Sequence, residues 1–385
     1  MKIGFFEIED WEIDFLKKFF GAAPVELFFS KEKLNKDNLP EILRQSSRQR
    51  RRPWRTSSKW TGDSLAPLDS SQSGPQAAGQ VLRQGSGQAD FNIISVFVGS
   101  KIDKETIEAF PDLKLITTRS TGFDHIDLEA TKSKNILTAY VPGYGDNTVA
   151  EFAFGLLLTL SRKLYQGIDR IRETGTFSYE GLRGFDLKDK TIGIVGTGRI
   201  GQYAVKIAKG LGMNVIAFDA FPNEKLAQEL GFKYVSFDEL LARSDVIDLH
   251  VPYLPTTHHL INKDNISKIK KGAILINTSR GAIVETEALV KALNEGILGG
   301  AGLDVLEEEG VIQDEKFLLL YGHPEEHNLK VVLANHVLID MPNVAITPHN
   351  AFNTQEALQR ILDTDINNIK SYIEKGEPVF KIPGK

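Results

Sequence analysis

The segment from residue 190 to 219, KTIGIVGTGRIGQYAVKIAKGLGMNVIAFD, constrains the fold more tightly than any other part of the chain. An apolar run at 191–195 leads into Gly196, Thr197, Gly198, Arg199, Ile200 and Gly201, and a helical pattern then places Ile200, Ala204, Ile207 and Ala208 on one face. A second apolar run at 214–218 ends on Asp219. Strand, glycine turn, helix and strand in that order form one βαβ unit of a parallel sheet. Gly196 permits the tight turn, Gly198 lets a pyrophosphate approach the backbone, and Gly201 lets the helix pack on the strand. The unpaired N–H groups that open the helix face the phosphates. Asp219 would accept a hydrogen bond from a ribose 2′-OH and repel a 2′-phosphate, which favours NAD over NADP. Residues 196–201 and Asp219 are therefore candidate dinucleotide ligands.

From residue 92 onward apolar strands alternate with helical stretches, the pattern of parallel α/β architecture. Strands are expected at 93–98, 115–118, 136–139, 191–195, 214–218, 246–250, 273–277 and 344–347. Helices are expected at 147–167, 199–211, 237–242, 285–295 and 354–376. The 147–167 stretch, with VAEFAFGLLLTL, is apolar on most faces, which suits either a core helix or one buried between domains or subunits. Residues 45–88 break the pattern. They are rich in Ser, Gln, Gly, Pro and Arg, hold seven basic residues against two acidic ones, and lack periodicity, so a solvated, disordered insertion is expected. A basic arm helped by Trp54 and Trp60 is the functional alternative.

Composition excludes several classes. With no cysteine, the chain has no disulfide, thiolate nucleophile or thiolate metal site, and a reducing cytoplasm is the natural setting. A net charge of −5 gives the whole chain no general affinity for nucleic acid or an anionic membrane. No apolar run reaches the roughly 18 residues of a membrane span, and the start, MKIGFFEIEDWEIDF, does not read as a signal peptide. His250, His258 and His259 complete no metal-ligand pattern, so no metal is expected.

Three further signals follow the glycine turn in order. HVPYLPTTHHL begins at His250 where a strand ends, INTSRG places Arg280 at another strand end, and GLDVLEEE, beginning at Gly302, is followed much later by ITPHN around His349. Ligands of open α/β sheets sit at such carboxyl ends. Together with VPGYGDNTVAEFAFGLLL and GTGRIGQ, these segments resemble the D-isomer-specific 2-hydroxyacid dehydrogenase family, in particular its D-lactate dehydrogenase branch, from about residue 92 to the C-terminus.

The resemblance implies two α/β domains, Rossmann-like and flavodoxin-like, each with a parallel sheet. An NAD domain at 144–349 is inserted into a discontinuous substrate domain at 1–143 and 350–385, and hinge closure excludes water. It also implies that Arg280 grips the substrate carboxylate and polarises the keto oxygen, a task suited to a permanently charged fork. His349 would exchange a proton with that oxygen, and Glu309 would orient the histidine and favour its protonated form. Glu309 is preferred to Glu307 because it occupies the family position. Val98 and Gly99 would offer backbone N–H groups to the substrate carboxylate, and Tyr144 would stand near it. Beside the glycine turn, His250, Val251, Pro252, Thr257, Thr278, Ser279 and Asp304 are candidate cofactor contacts.

The implied reaction is reduction of pyruvate or a similar small 2-keto acid to the D-2-hydroxy acid by a homodimer, with no membrane partner. Alternatives are a bulkier 2-keto acid, glyoxylate or hydroxypyruvate as substrate, or an NAD-sensing co-repressor that uses the basic insertion. Three positions depart from the family pattern: Gly99 stands in place of a tyrosine, Phe152 in place of a histidine, and Gly310 in place of a proline.

Overall fold

The computed structural model describes residues 1–21, 23–49, 90–309 and 328–383. Two compact units divide it: Met1–Tyr140 with Asp365–Lys385, and Val141–Thr364. The sequence reading placed the divides at 143/144 and 349/350. In the structure the second divide falls at 364/365, inside the unbroken helix Gln355–Lys375. Early in that helix Arg360 donates to the Tyr144 carbonyl and the Thr148 hydroxyl of the second unit. Further along, Ile366 and Ile369 are core residues of the first.

In the first unit, β1 (Lys2–Phe6), β2 (Glu26–Ser30), β3 (Ile93–Val96), β4 (Leu115–Thr118) and β5 (Leu137–Ala139) form one parallel sheet, ordered β2-β1-β3-β4-β5. Every residue of β1, β3 and β4 is buried, as strands covered on both faces must be. Rings of Phe6, Phe28, Phe91 and Phe110 fill one side. Under the strand ends lies a polar network. Asp365 accepts from the Ser95 and Thr117 hydroxyls, while Arg119, only 2% exposed, donates to Ser95 Oγ and to the carbonyls of Phe6 and Glu7. Burial pushes the Asp365 carboxyl above its ordinary range, and the Arg119 charge opposes that.

The second unit holds β6 (Thr191–Val195), β7 (Asn214–Phe218), β8 (Lys233–Tyr234), β9 (Val246–Leu249), β10 (Ala273–Asn277), β11 (Leu298–Leu303) and β12 (Val344–Ile346). Their order, β12-β11-β10-β9-β6-β7-β8, reverses direction at β6, the switch point where such sheets bind ligands. Strand β11, LGGAGL, reads poorly as a strand because glycine has low β propensity. Its glycines answer to crowding instead: a side-chain carbon at Gly302 would meet Ile276 at 2.8 Å and Leu156 at 3.0 Å.

The apolar stretch expected at 147–167 is two helices, Asp146–Ser161 and Leu164–Thr174, separated where Lys163 takes a left-handed backbone at φ 50°. The first buries Ala150, Ala153, Phe154, Leu156 and Leu157 against its own sheet, which makes it a core helix. At the insertion, residues 45–49 prolong the helix Leu39–Gln49, so the expected irregular stretch begins later than Gln45. Its remainder, 50–88, lies outside the described residues.

Candidate active site

Strands β10, β11 and β12 are parallel neighbours, and each is followed by one residue singled out for chemistry: Arg280, Glu309 and His349. Adjacent strands lie about 4.8 Å apart, so residues remote in the chain arrive at one sheet edge. His349 Nδ1 stands 2.9 Å from Glu309 Oε1. A carboxylate only accepts, so Nδ1 carries the hydrogen, and Nε2 becomes the nitrogen that exchanges a proton with a substrate.

His349 has a left-handed backbone at φ 51°, unusual outside glycine. Asp304 holds it there. The His349 N–H donates to the Asp304 carbonyl at 2.8 Å, and the Asp304 carboxylate accepts from Thr347 Oγ1, Asn350 N and Ala351 N. Burial pushes the Asp304 carboxyl above its ordinary range, and those bonds and the His349 charge counter the rise. Its oxygens thus serve the His349 loop. Glu307 is engaged elsewhere, with His259 Nε2 at 2.8 Å and with the N–H and hydroxyl of Thr286.

Asn277, 1% exposed, shapes the Arg280 loop by donating to the Arg280 carbonyl and accepting from Ser279 N. A side-chain carbon at Gly281 would overlap the backbone of Leu306 and Glu307, so this glycine lets the Arg280 loop lie directly on the acidic one. Tyr144 is close enough to feel the Arg280 charge. Burial pushes its hydroxyl up to about 12, with the guanidinium pulling the other way.

At the switch point, Gly196 has φ +94°, a region open to glycine. A side-chain carbon there would press on the His250 carbonyl and Val251 Cγ1, and one at Gly201 would overlap the Gly196 carbonyl. Gly198, by contrast, opens on empty space, and no side chain caps the helix Arg199–Gly210 that starts beside it. A helix start with no side-chain cap, beside open space, fits a pyrophosphate.

Residues 154–351 match the model of the D-isomer-specific 2-hydroxyacid dehydrogenase NAD-binding domain. The chain belongs to the D-isomer-specific 2-hydroxyacid dehydrogenase family. A 2-hydroxyacid dehydrogenase homolog of Zymomonas mobilis is 41% identical over 283 residues, 73% of this chain and 83% of that protein. An aromatic 2-oxoacid reductase of Clostridium sporogenes is 36% identical over 287 residues, 74% of this chain and 83% of its own length. Among solved structures, D-lactate dehydrogenase from Aquifex aeolicus complexed with NAD and lactic acid matches with a TM-score of 0.76 at 31% identity, covering 99% of this chain and 100% of that one.

This dehydrogenase is accordingly an NAD-dependent oxidoreductase, and its residues around the glycine turn sort by what they can offer the dinucleotide. Thr197 and Asp219 brace the turn: the Thr197 N–H and hydroxyl both donate to Asp219 Oδ2, at 2.7 and 2.9 Å. Ile200 packs into the core and leaves its backbone for a phosphate, while Arg199 pairs with Asp146 at 2.7 Å. Thr278 keeps a buried hydroxyl with no partner among the described residues. His250, Thr257 and Ser279 each make a side-chain contact within the fold, and His250 Nδ1 is left without a partner among the described residues. His250 Nε2 meets Asp248 at 2.9 Å in the interior, the Thr257 hydroxyl donates to the Pro252 carbonyl, and Ser279 Oγ donates to the Leu249 carbonyl.

Asp219→Ser removes both the charge and the brace. NADH affinity is expected to fall about tenfold, and the preference for NADH over NADPH to narrow by at least as much, as read by fluorescence titration with each nucleotide.

In the first unit one of the two expected backbone donors already has a partner. The Gly99 N–H donates to Glu7 Oε1 at 2.9 Å. Glu7 was overlooked because nothing local marks it; its only signal was an acid closing the first apolar strand. Asn277 and Gly281, inside the quoted NTSRG motif, were legible as part of the motif but not in their roles.

Proposed function

We propose that this dehydrogenase interconverts pyruvate and D-lactate. The observation that carries the reading is the His349–Glu309 pair at 2.9 Å, set on the same sheet edge as Arg280. The likeness to a D-lactate dehydrogenase complexed with NAD and lactic acid supports it. NADH, when bound, supplies a hydride to the keto carbon. Arg280 pairs with the substrate carboxylate and draws electron density toward the keto oxygen. As charge builds on that oxygen, His349 Nε2 delivers its proton there, and the product is the 2-hydroxy acid with the oxidised cofactor. Glu309 keeps the imidazolium in place and stabilises its charge before transfer; in the oxidation direction the same nitrogen takes the proton back.

A second reading, a bulkier 2-keto acid, is favoured by Gly99, which lacks the tyrosine side chain of the lactate branch, and by the aromatic 2-oxoacid reductase among the relatives. A panel of pyruvate, glyoxylate, hydroxypyruvate and phenylpyruvate with NADH separates the two. Pyruvate is expected to give the highest kcat/KM. A higher value for phenylpyruvate moves the assignment to the second reading, and no turnover with any of them overturns both.

We assign a homodimer to the exposed apolar strip Leu164, Ile168, Ile171, Phe177 and Tyr179, the last two 92% and 91% exposed. A single chain rarely leaves such a patch in water. The strip takes in Leu164 of the 147–167 stretch but not the helix Asp146–Ser161, whose apolar face is core. A cysteine-free composition supports a cytoplasmic setting. Among the described residues no helix is long and apolar enough to cross a membrane.

A further inference from the structure

Three consecutive acids, Glu307, Glu308 and Glu309, make the turn that follows β11. Glu308 holds a left-handed backbone at φ 53°, which costs a non-glycine residue free energy and persists only where the surroundings over-determine it. The turn sends the flanking side chains to different partners: Glu309 meets His349 Nδ1, and Glu307 meets His259 and Thr286. Glu307 is the better enclosed of the two, its side chain 12% exposed against 37% for Glu309. The acid that faces the chemistry is the looser one, and its neighbour is the anchored one.

The donors around the Glu307 carboxylate come from two other segments. Its Oε1 lies 2.8 Å from His259 Nε2, and because a carboxylate only accepts, that nitrogen carries the hydrogen. Its Oε2 accepts from Thr286 N at 2.9 Å and from Thr286 Oγ1 at 2.6 Å. Thr286 opens the helix Thr286–Asn294, whose own N-cap residue, Glu285, supplies no side-chain cap. Glu307 therefore caps that helix from 21 residues away, placing negative charge at the positive end of its dipole. The main chain is tied as well: the Glu307 carbonyl accepts from Nδ2 of the fully buried Asn335 at 2.7 Å.

His259 extends the tie to the loop that carries Arg280. Its backbone is left-handed at φ 49°, its N–H donates to the Ala282 carbonyl at 2.8 Å, and its ring stacks on His258 with centroids 3.9 Å apart. Gly281 lies so close to the main chain of Leu306 and Glu307 that it leaves no room for a side-chain carbon. Arg280 has separate support, since Asn277 holds its carbonyl and the Ser279 N–H. What Glu307 chiefly holds is therefore the turn that presents Glu309.

We propose that Glu307 is a positioning residue for the acid–base pair: through His259 and Thr286 it clamps the turn that presents Glu309 to His349. This rests on the reading of His349 as the proton donor to a 2-keto acid. Glu307 does not touch the reacting atoms and acts only through the place in which Glu309 stands. Its effect is on the chemical step and not on how firmly the substrate is held.

Steady-state kinetics of Glu307→Gln, His259→Ala and Glu309→Ala with and without Glu307→Gln, together with amide hydrogen exchange of the peptides holding Thr286 and Leu306, test this. Glutamine keeps the size of Glu307 but turns one acceptor into a donor, so either His259 or Thr286 loses its partner. In Glu307→Gln, kcat for keto-acid reduction is expected to fall about tenfold, with KM within about twofold of wild type, unchanged NADH affinity, and faster exchange in both peptides. His259→Ala is expected to lower kcat about fivefold. Once the Glu309 side chain is gone there is nothing left to position, so adding Glu307→Gln to Glu309→Ala is expected to lower kcat no further.

An unchanged kcat in folded Glu307→Gln overturns the proposal, as does a rise in KM as large as the fall in kcat, or simple additivity in the double variant. If Glu307→Gln fails to fold, His259→Ala decides alone, and an unaltered kcat overturns the idea. If the wild-type chain reduces no 2-keto acid, the functional reading fails by itself. Hydrogen exchange then judges the clamp: faster exchange of the Leu306 peptide in Glu307→Gln sustains it, and unchanged exchange overturns it.

Discussion

Replacing His349 with alanine is expected to lower kcat for keto-acid reduction about a thousandfold, within the range found for positioned acid–base groups. NADH affinity should stay as it is. The asymmetry follows from where the residue sits. His349 is held by Glu309 through Nδ1 and by Asp304 through its main chain, and both contacts serve the orientation of one nitrogen. The glycine turn that faces the dinucleotide follows β6, separated in the sheet from β12 by three other strands. Removing the imidazole therefore deletes the proton donor without disturbing the phosphate-binding N–H groups. Glu309→Gln is the milder companion variant, because an amide can still contact the ring but carries no charge to stabilise the imidazolium. Stopped-flow measurement of a single turnover, with NADH titrated separately, separates chemistry from binding. Equal losses in kcat and in NADH affinity would assign His349 to the architecture of the site instead of its chemistry.

Arg280→Ala is expected to have the larger effect on kcat/KM, about ten-thousandfold. Two losses combine: the charge-assisted bonds to the substrate carboxylate, and the stabilisation of negative charge growing on the keto oxygen. Lysine restores charge but not the planar fork, so Arg280→Lys should remain about a hundredfold below wild type. Removing the guanidinium also removes the one influence that lowers the Tyr144 hydroxyl, now near 12, so the tyrosine stays protonated throughout the working range and moves further up in the variant. No new ionisation should therefore enter the pH–rate profile of Arg280→Ala. A kcat/KM within about tenfold of wild type would remove Arg280 from the proposed role.

The NAD-binding half was legible in the sequence because every part of it is local. The β6 strand, the turn at Gly196 and the helix opening at Arg199 are contiguous, and each carries its own signature in composition or period. Arg280, Glu309 and His349 could be named from motifs, but their meeting depends on β10, β11 and β12 lying side by side, which no local pattern encodes. Strand β11 shows the limit most plainly. Its glycines argue against a strand in isolation and are required once Ile276 and Leu156 press on it. Asp304 and Thr257 show a related limit: a polar side chain at a strand end can face a ligand, tie down its own loop, or do both, and the sequence does not give its hydrogen-bond partners. Glu7 was missed outright, because its three donors lie some ninety residues further along the chain.

The measurement that bears most directly on this account is the configuration of the product formed from pyruvate and NADH, resolved by chiral chromatography. The His349–Glu309 pair and Arg280, set on one sheet edge of a member of the D-specific family, are expected to yield D-lactate alone. L-lactate, a racemate, or an absence of any hydroxy acid from folded, NADH-binding protein would contradict it.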